Sequence, residues 1–129
     1  MRFRTTRLAG TMFATALALG TVVALPATTA AREEQKERDC AGPARWRLEV
    51  ENEDGGLQVD LRIRDARPDS RWHITMKQEG NEFLDVTRRA DEDGEIRLRR
   101  QRGNTRGTDT FRFVANGPGD QECRGVLVF

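Results

Sequence analysis

From residue 45 onward the chain is built of short runs in which apolar and polar residues alternate. Trp46, Leu48 and Val50 share one face while Arg45, Arg47, Glu49 and Glu51 share the other, the period-two pattern of a half-buried strand. Asn52-Glu53-Asp54-Gly55-Gly56 interrupts this run. Asp-Gly between two alternating segments predicts a hairpin, because both central positions favour positive φ. The return strand presents Leu57, Val59, Leu61 and Ile63 inward against Gln58, Asp60, Arg62 and Arg64. A loop containing Pro68 leads to a third strand with Trp72, Ile74 and Met76 inward and Arg71, His73, Thr75 and Lys77 outward, closed by a turn at Gly80-Asn81. Leu84 and Val86 predict a weaker edge strand on which Phe83 has the wrong parity. Asp91-Glu92-Asp93-Gly94 turns the chain into a fifth strand bearing Ile96 and Leu98. After a polar connection, Phe111, Phe113 and Ala115 alternate with Thr110 and Arg112. Asn116-Gly117-Pro118-Gly119 then turns into a last apolar run that carries Cys123.

About seven strands separated by turns, with no sustained 3.6-residue period after residue 31, predict an all-β fold, a single antiparallel sandwich over residues 44–129. The landmarks suit an immunoglobulin-like layout. A tryptophan lies on the third strand, and Asp109-x-Phe111-x-Phe113 stands where antibody-type domains place aspartate, tyrosine and cysteine. Phe113 then replaces the usual inter-sheet disulfide cysteine with packed aromatic surface. If the first and last strands of this layout lie side by side and parallel, Cys40 and Cys123 meet at one end.

The N-terminus reads differently. Arg2, Arg4 and Arg7 precede an apolar run over residues 8–25, Pro26 and the small residues Ala27-Thr28-Thr29-Ala30-Ala31, the layout of a secretory signal peptide over residues 1–31. An uncleaved anchor is the competing reading, since a span needs about 17–25 apolar residues. Threonines and glycines dilute the run, so cleavage after Ala30 or Ala31 is expected. Any membrane contact would come only through the uncleaved signal peptide. Leu25-Pro26-Ala27-Thr28-Thr29 matches a cell-wall sorting signal by chance, being followed by no C-terminal apolar segment. Cys40 follows Glu37-Arg38-Asp39, which is not a lipoprotein context.

Cleavage leaves 98 of the 129 residues and removes three arginines, so 19 basic face 21 acidic residues. The exported domain is mildly acidic. No global field attracts nucleic acid, and both tryptophans lie on core faces rather than among the arginines, so no nucleic-acid partner is expected. Residues 32–43 hold a run without apolar side chains, Arg32 followed by EEQKERD, which predicts a charged flexible lead carrying Cys40. Two cysteines in an exported chain predict one structural disulfide, Cys40–Cys123.

The candidate chemistry is thin. His73 is the lone histidine, on an outward strand face, with Ser70 the lone serine, so no catalytic triad is predicted. Asp91-Glu92-Asp93-Gly94-Glu95 lacks the further ligands and the spacing of an EF-hand. It and Asn52–Gly56 read as turns, and no metal or cofactor is expected. Arg97, Arg99, Arg100, Arg102 and Arg106 form the best candidate for contact with an anion or partner, since guanidinium groups fork onto phosphate, sulfate or carboxylate. Alternation nevertheless sends Arg97 and Arg99 to one face and Arg100 and Arg102 away from it. Glu49 and Asp60 could face one another across neighbouring strands as an acid pair, the basis of a less favoured reading as a carboxylate hydrolase; salt bridging with the arginines is the simpler role. Trp46, Trp72, Phe111 and Phe113 read as core before they read as a ligand cleft.

The pattern Cys40-x5-Trp46-x-Leu48, Trp72-x-Ile74, Asp93-Gly94, Gly107-x-Asp109-x-Phe111, Ala115 and Cys123-x-Gly125 resembles a group of short secreted proteins of high-GC Gram-positive bacteria (actinobacteria), mostly without an assigned role. The resemblance covers nearly all of residues 40–129 and rests on scaffold residues, so it implies fold and export but no catalytic or binding residue. A looser similarity is to the immunoglobulin-like chromoprotein apoproteins of such bacteria, which hold a small molecule in a cleft but carry two disulfides. The expected function is a secreted, non-catalytic binding or structural module, monomeric, acting on an extracellular or cell-surface protein or polymer. A small-molecule carrier is the alternative.

Overall fold

The computed structural model describes residues 20–24 and 32–129. Most of the signal-peptide expectation therefore lies outside the described residues. No helix among them is long and apolar enough to cross a membrane. Eight strands follow in order: β1 Glu33–Asp39, β2 Arg45–Glu53, β3 Gly56–Arg64, β4 Arg71–Gln78, β5 Asn81–Arg89, β6 Ile96–Arg102, β7 Thr110–Asn116 and β8 Glu122–Val128. They make two antiparallel four-stranded sheets, ordered β1-β2-β3-β6 and β5-β4-β7-β8. The inner faces of both sheets share one core. Trp46 from the first sheet meets Phe113 of the second edge to face, with ring centroids 5.0 Å apart, and Trp72, Phe111, Leu61, Ile63, Ile74 and Met76 are all but fully buried around them.

The turns follow from their residues. Asp54 (φ 48°) and Gly55 (φ 80°) form the two-residue loop between β2 and β3, both in the left-handed region, as the Asp-Gly signal predicts. Glu79 (φ 50°) and Gly80 (φ 78°) repeat the device between β4 and β5, one residue earlier than the sequence marks the turn.

Two departures from the sequence reading have physical causes. The segment expected to be a flexible lead is strand β1, paired with β2 along its whole length from Glu33↔Glu51 to Asp39↔Arg45, so the strands among the described residues number eight. Its inward residues Glu34, Lys36 and Arg38 stand opposite Val50, Leu48 and Trp46, yet β1 lies past the last strand of the facing sheet, and its inner face overhangs the edge of β8. A strand in that position needs no apolar side chain. The parity of Phe83 is resolved by a bulge: the β4–β5 register steps from Met76↔Leu84 to Lys77↔Glu82, leaving Phe83 as the extra residue. Phe83 and Leu84 can then both turn toward the core, where Phe83 meets Phe111 edge to face at 6.3 Å.

Cys40 and Cys123 form a disulfide with Cα atoms 4.4 Å apart. It joins the exit of β1 to the start of β8 and so ties the two sheets together at one end. Beside it Ala41 and Glu122 form an isolated antiparallel bridge.

Candidate functional site

The outer face of the first sheet is an ordered field of charge, and the strand registers define it. One row across the strands reads Glu37, Arg47, Arg62, Arg97; the next reads Gln35, Glu49, Asp60, Arg99; the one beyond reads Glu33, Glu51, Gln58, Gln101. Like charges therefore stand directly opposite within a row, an arrangement that is unfavourable by itself. Opposite charges within the same row, in neighbouring rows and at the strand ends offset it. Asp60 accepts two hydrogen bonds from Arg99, from Nε at 3.1 Å and Nη2 at 2.9 Å. Arg47 donates to Glu49 at 2.6 Å and to Gln35 at 2.7 Å. Arg62 Nη2 donates to Glu95 at 2.9 Å, while Arg62 Nε, 2.7 Å from the other oxygen of that carboxylate, lies off the line of its own N–H and is left without a well-directed acceptor, as is Arg47 Nε.

Two of these contacts hold their groups in the charged form. The Arg62 guanidinium holds the Glu95 carboxyl below its ordinary value, mainly through their hydrogen bond, against an opposing effect of desolvation. Arg62 is in turn raised by Glu95, and Arg99 by Asp60. Glu95, Arg62 and Arg99 are therefore charged throughout the neutral range. The face has two poles. Arg45, Arg47, Arg62, Arg64 and Arg97 gather toward the disulfide end, where Asp39 pairs with Arg45, Glu37 with Arg64 and Glu95 with Arg62, so arginines outnumber the carboxylates among them. Glu33, Glu49 and Glu51, whose carboxylate oxygens lie within 4.8 Å of one another, gather toward the β2–β3 hairpin. Between them Arg47, Glu49, Asp60, Arg62, Arg97 and Arg99 line a shallow depression of about 200 Å³.

The five arginines singled out by the sequence divide as alternation requires. Arg97 and Arg99 belong to this face; Arg99 is held by Asp60, and Arg97 is loosely held, 4.0 Å from Glu95 and more than half exposed. Arg100 folds onto the carbonyl of Arg99 at 2.8 Å. Arg102 turns to the opposite side, where its guanidinium covers the Phe83 ring at 4.4 Å and its Nε donates to Gln78 at 3.0 Å. Arg106 is exposed in the loop before β7. The five do not form one patch. Arg45, Arg47, Arg62 and Arg64, from the first hairpin, complete the basic pole that Arg97 begins; the sequence signal for them was the outward parity of β2 and β3.

The other candidates resolve into structural roles. Glu49 and Asp60 are direct cross-strand partners, each engaged by an arginine. His73 pairs with Asp85 at 2.6 Å on the exposed face of the second sheet. Asp91 Oδ1 accepts from the backbone N–H groups of Asp93 and Glu95, both at 2.9 Å, which makes the acidic run a closed turn. Trp72 is sealed in the core with its indole N–H donated to Ser70 Oγ at 3.0 Å. The sequence reading did not single out Asp109 for its carboxylate. It is fully buried and accepts from Gln78 Nε2 at 2.9 Å and Thr105 Oγ1 at 2.6 Å, pinning the loop before β7. Compared with protein-family models, curated proteins and solved structures, the chain matches none.

Proposed function

We propose that the protein is an exported, non-catalytic binding module with an immunoglobulin-like sandwich, which engages a charged extracellular or cell-surface protein or polymer through the outer face of the β1-β2-β3-β6 sheet. The observation that carries this reading is the two-pole charge field on that face, with Arg97 held only loosely by Glu95 and more than half exposed. A face made only for solubility does not need arginines in register on three adjacent strands, where each repels the next.

The strand order supports the immunoglobulin-like reading. Such sandwiches pair strands A-B-E-D and C-F-G. With β2 as A, β3 as B, β4 as C, β6 as E, β7 as F and β8 as G, the pairings β2–β3, β3–β6, β4–β7 and β7–β8 follow that scheme. β5 then flanks C, and β1 is an added strand beyond A. The disulfide is consistent with an oxidising compartment. The carrier reading gains no support from the aromatics, since Trp46, Trp72, Phe111 and Phe113 are packed against core neighbours and not around an opening.

The test is co-sedimentation of the secreted protein with cell envelopes across a salt series. Binding that weakens steadily with salt and is lost in the Arg47→Ala/Arg62→Ala/Arg97→Ala variant supports the reading. Salt-independent binding, or a variant that binds like the native protein, contradicts it. A small molecule that co-purifies with the native protein would move the assignment to the carrier.

A further inference from the structure

The four sheet edges are protected unequally. β6 presents Arg97, Arg99, Arg100 and Arg102; β5 is bulged at Phe83; β1 has no apolar residue. Charges, bulges and short strands are the usual means of stopping a free edge from pairing with another chain. β8 has none of these along Val126-Leu127-Val128, where Val128 is 54% exposed. Its outward backbone groups are known from the ladder. Asp109 and Phe129 exchange both hydrogen bonds at 2.8 Å, so odd residues of β8 bond to β7, and the N–H and C=O of Arg124, Val126 and Val128 face the open side.

That open side is overhung by β1. The disulfide ties the exit of β1 to the start of β8, Lys36 Nζ donates to the outward carbonyl of Val126 at 3.1 Å, and the Arg32 guanidinium lies over the Phe129 ring at 4.7 Å. These three ties, spaced along the strand, show that β1 runs antiparallel to β8, with a groove between them lined by residues of both. We propose that β1 is a guard strand, whose function is to deny the β8 edge to β8 of a second copy. The unguarded edge suits itself as partner: antiparallel pairing about a two-fold axis sets Val126 beside Val126 and joins two four-stranded sheets into one. Lys36 blocks the carbonyl at the centre of that pairing. It also gives a role to a strand that contributes no apolar side chain to the core.

The test keeps the full mature chain. Asn52 N–H bonds to Arg32 C=O and Cys40 N–H to Ala44 C=O, so the even residues of β1 bond to β2. Lys36→Pro/Arg38→Pro therefore detaches β1 without touching a core side chain. Sedimentation velocity is expected to show monomer for the native protein and a doubling of mass with concentration for this variant, with newly slowed hydrogen exchange at the Arg124 and Val126 amides. Adding Val126→Pro, whose N–H serves no bond to β7, is expected to restore the monomer. Lys36→Met, which leaves β1 paired, is expected to dimerise at concentrations several-fold higher than the detached variant requires. A detached variant that stays monomeric, a dimer that survives Val126→Pro, or a Lys36→Met variant no more associated than native overturns the proposal. So does loss of the native fold on detachment, because β1 would then be part of the cooperative core and not a cover over it.

Discussion

Replacing both cysteines by alanine tests how the two sheets are held together. The bridge spans 83 residues of sequence, so it closes almost the whole described domain into one loop. In the chain-entropy model a loop of that length removes about 4.5 kcal/mol of freedom from the unfolded chain. A domain of this size is expected to be stable by only about 5–15 kcal/mol, so the loss takes a large share of the total. The variant is expected to lose about 3–4.5 kcal/mol, which corresponds to a fall in Tm of roughly 15–30 °C for a domain under 100 residues. Urea unfolding followed by tryptophan emission is the assay, since Trp46 and Trp72 are buried in the native state. It carries a second signature: without the cross-link the unfolded chain opens further, so the slope of stability against urea should rise. A loss below about 1 kcal/mol with an unchanged slope would refute the reasoning, because it would mean that the bridge constrains neither state.

Other outcomes follow from single contacts. Glu95 has its folded pKa held below the ordinary 4.5 by Arg62, so it contributes stability that is fully present above that value and is lost as pH falls through its lower folded value; Glu95→Gln should flatten thermal stability against pH in that acid window. At Gly125 a Cβ would stand 2.6 Å from Phe113 Cε1 and from Trp46 Cη2, so Gly125→Ala should cost about 1–3 kcal/mol in urea unfolding, as overpacked cores do. Asp109→Ala takes one of its two acceptors from the buried Gln78 amide, which keeps the Gly103 carbonyl at 2.8 Å, and removes the acceptor of the Thr105 hydroxyl; it should cost about 1–3 kcal/mol, with faster proteolysis in the loop around Arg106.

What the sequence disclosed and what it concealed divide along physical lines. Alternation over β2, β3, β4 and β7 disclosed the all-β class and the buried set, because a strand with one face in the core must repeat every two residues. The cysteine pair followed from there being only one pairing. β1 was hidden because its place at a sheet edge, beyond the facing layer, removes the need for apolar residues that pattern reading depends on. Phe83 looked out of step because a bulge adds one residue and shifts parity, and nothing local in the sequence marks where that happens. The arginine group on β6 was visible as a run, yet its members part by alternation. Their true neighbours, Arg47 and Arg62, come from a distant hairpin, and only the register of β2, β3 and β6 shows that they share a row with Arg97.

The contact face can be located directly by titrating isotope-labelled mature protein with solubilised envelope polymer and following backbone amide shifts. Engagement through the outer face of the first sheet is expected to give salt-sensitive shifts concentrated on Arg47, Arg62, Arg97 and their strand neighbours, with little change on the outer face of β4 and β7. Shifts centred on Thr75, Lys77 and Val114 of that opposite face, or spread evenly over the molecule, would contradict it.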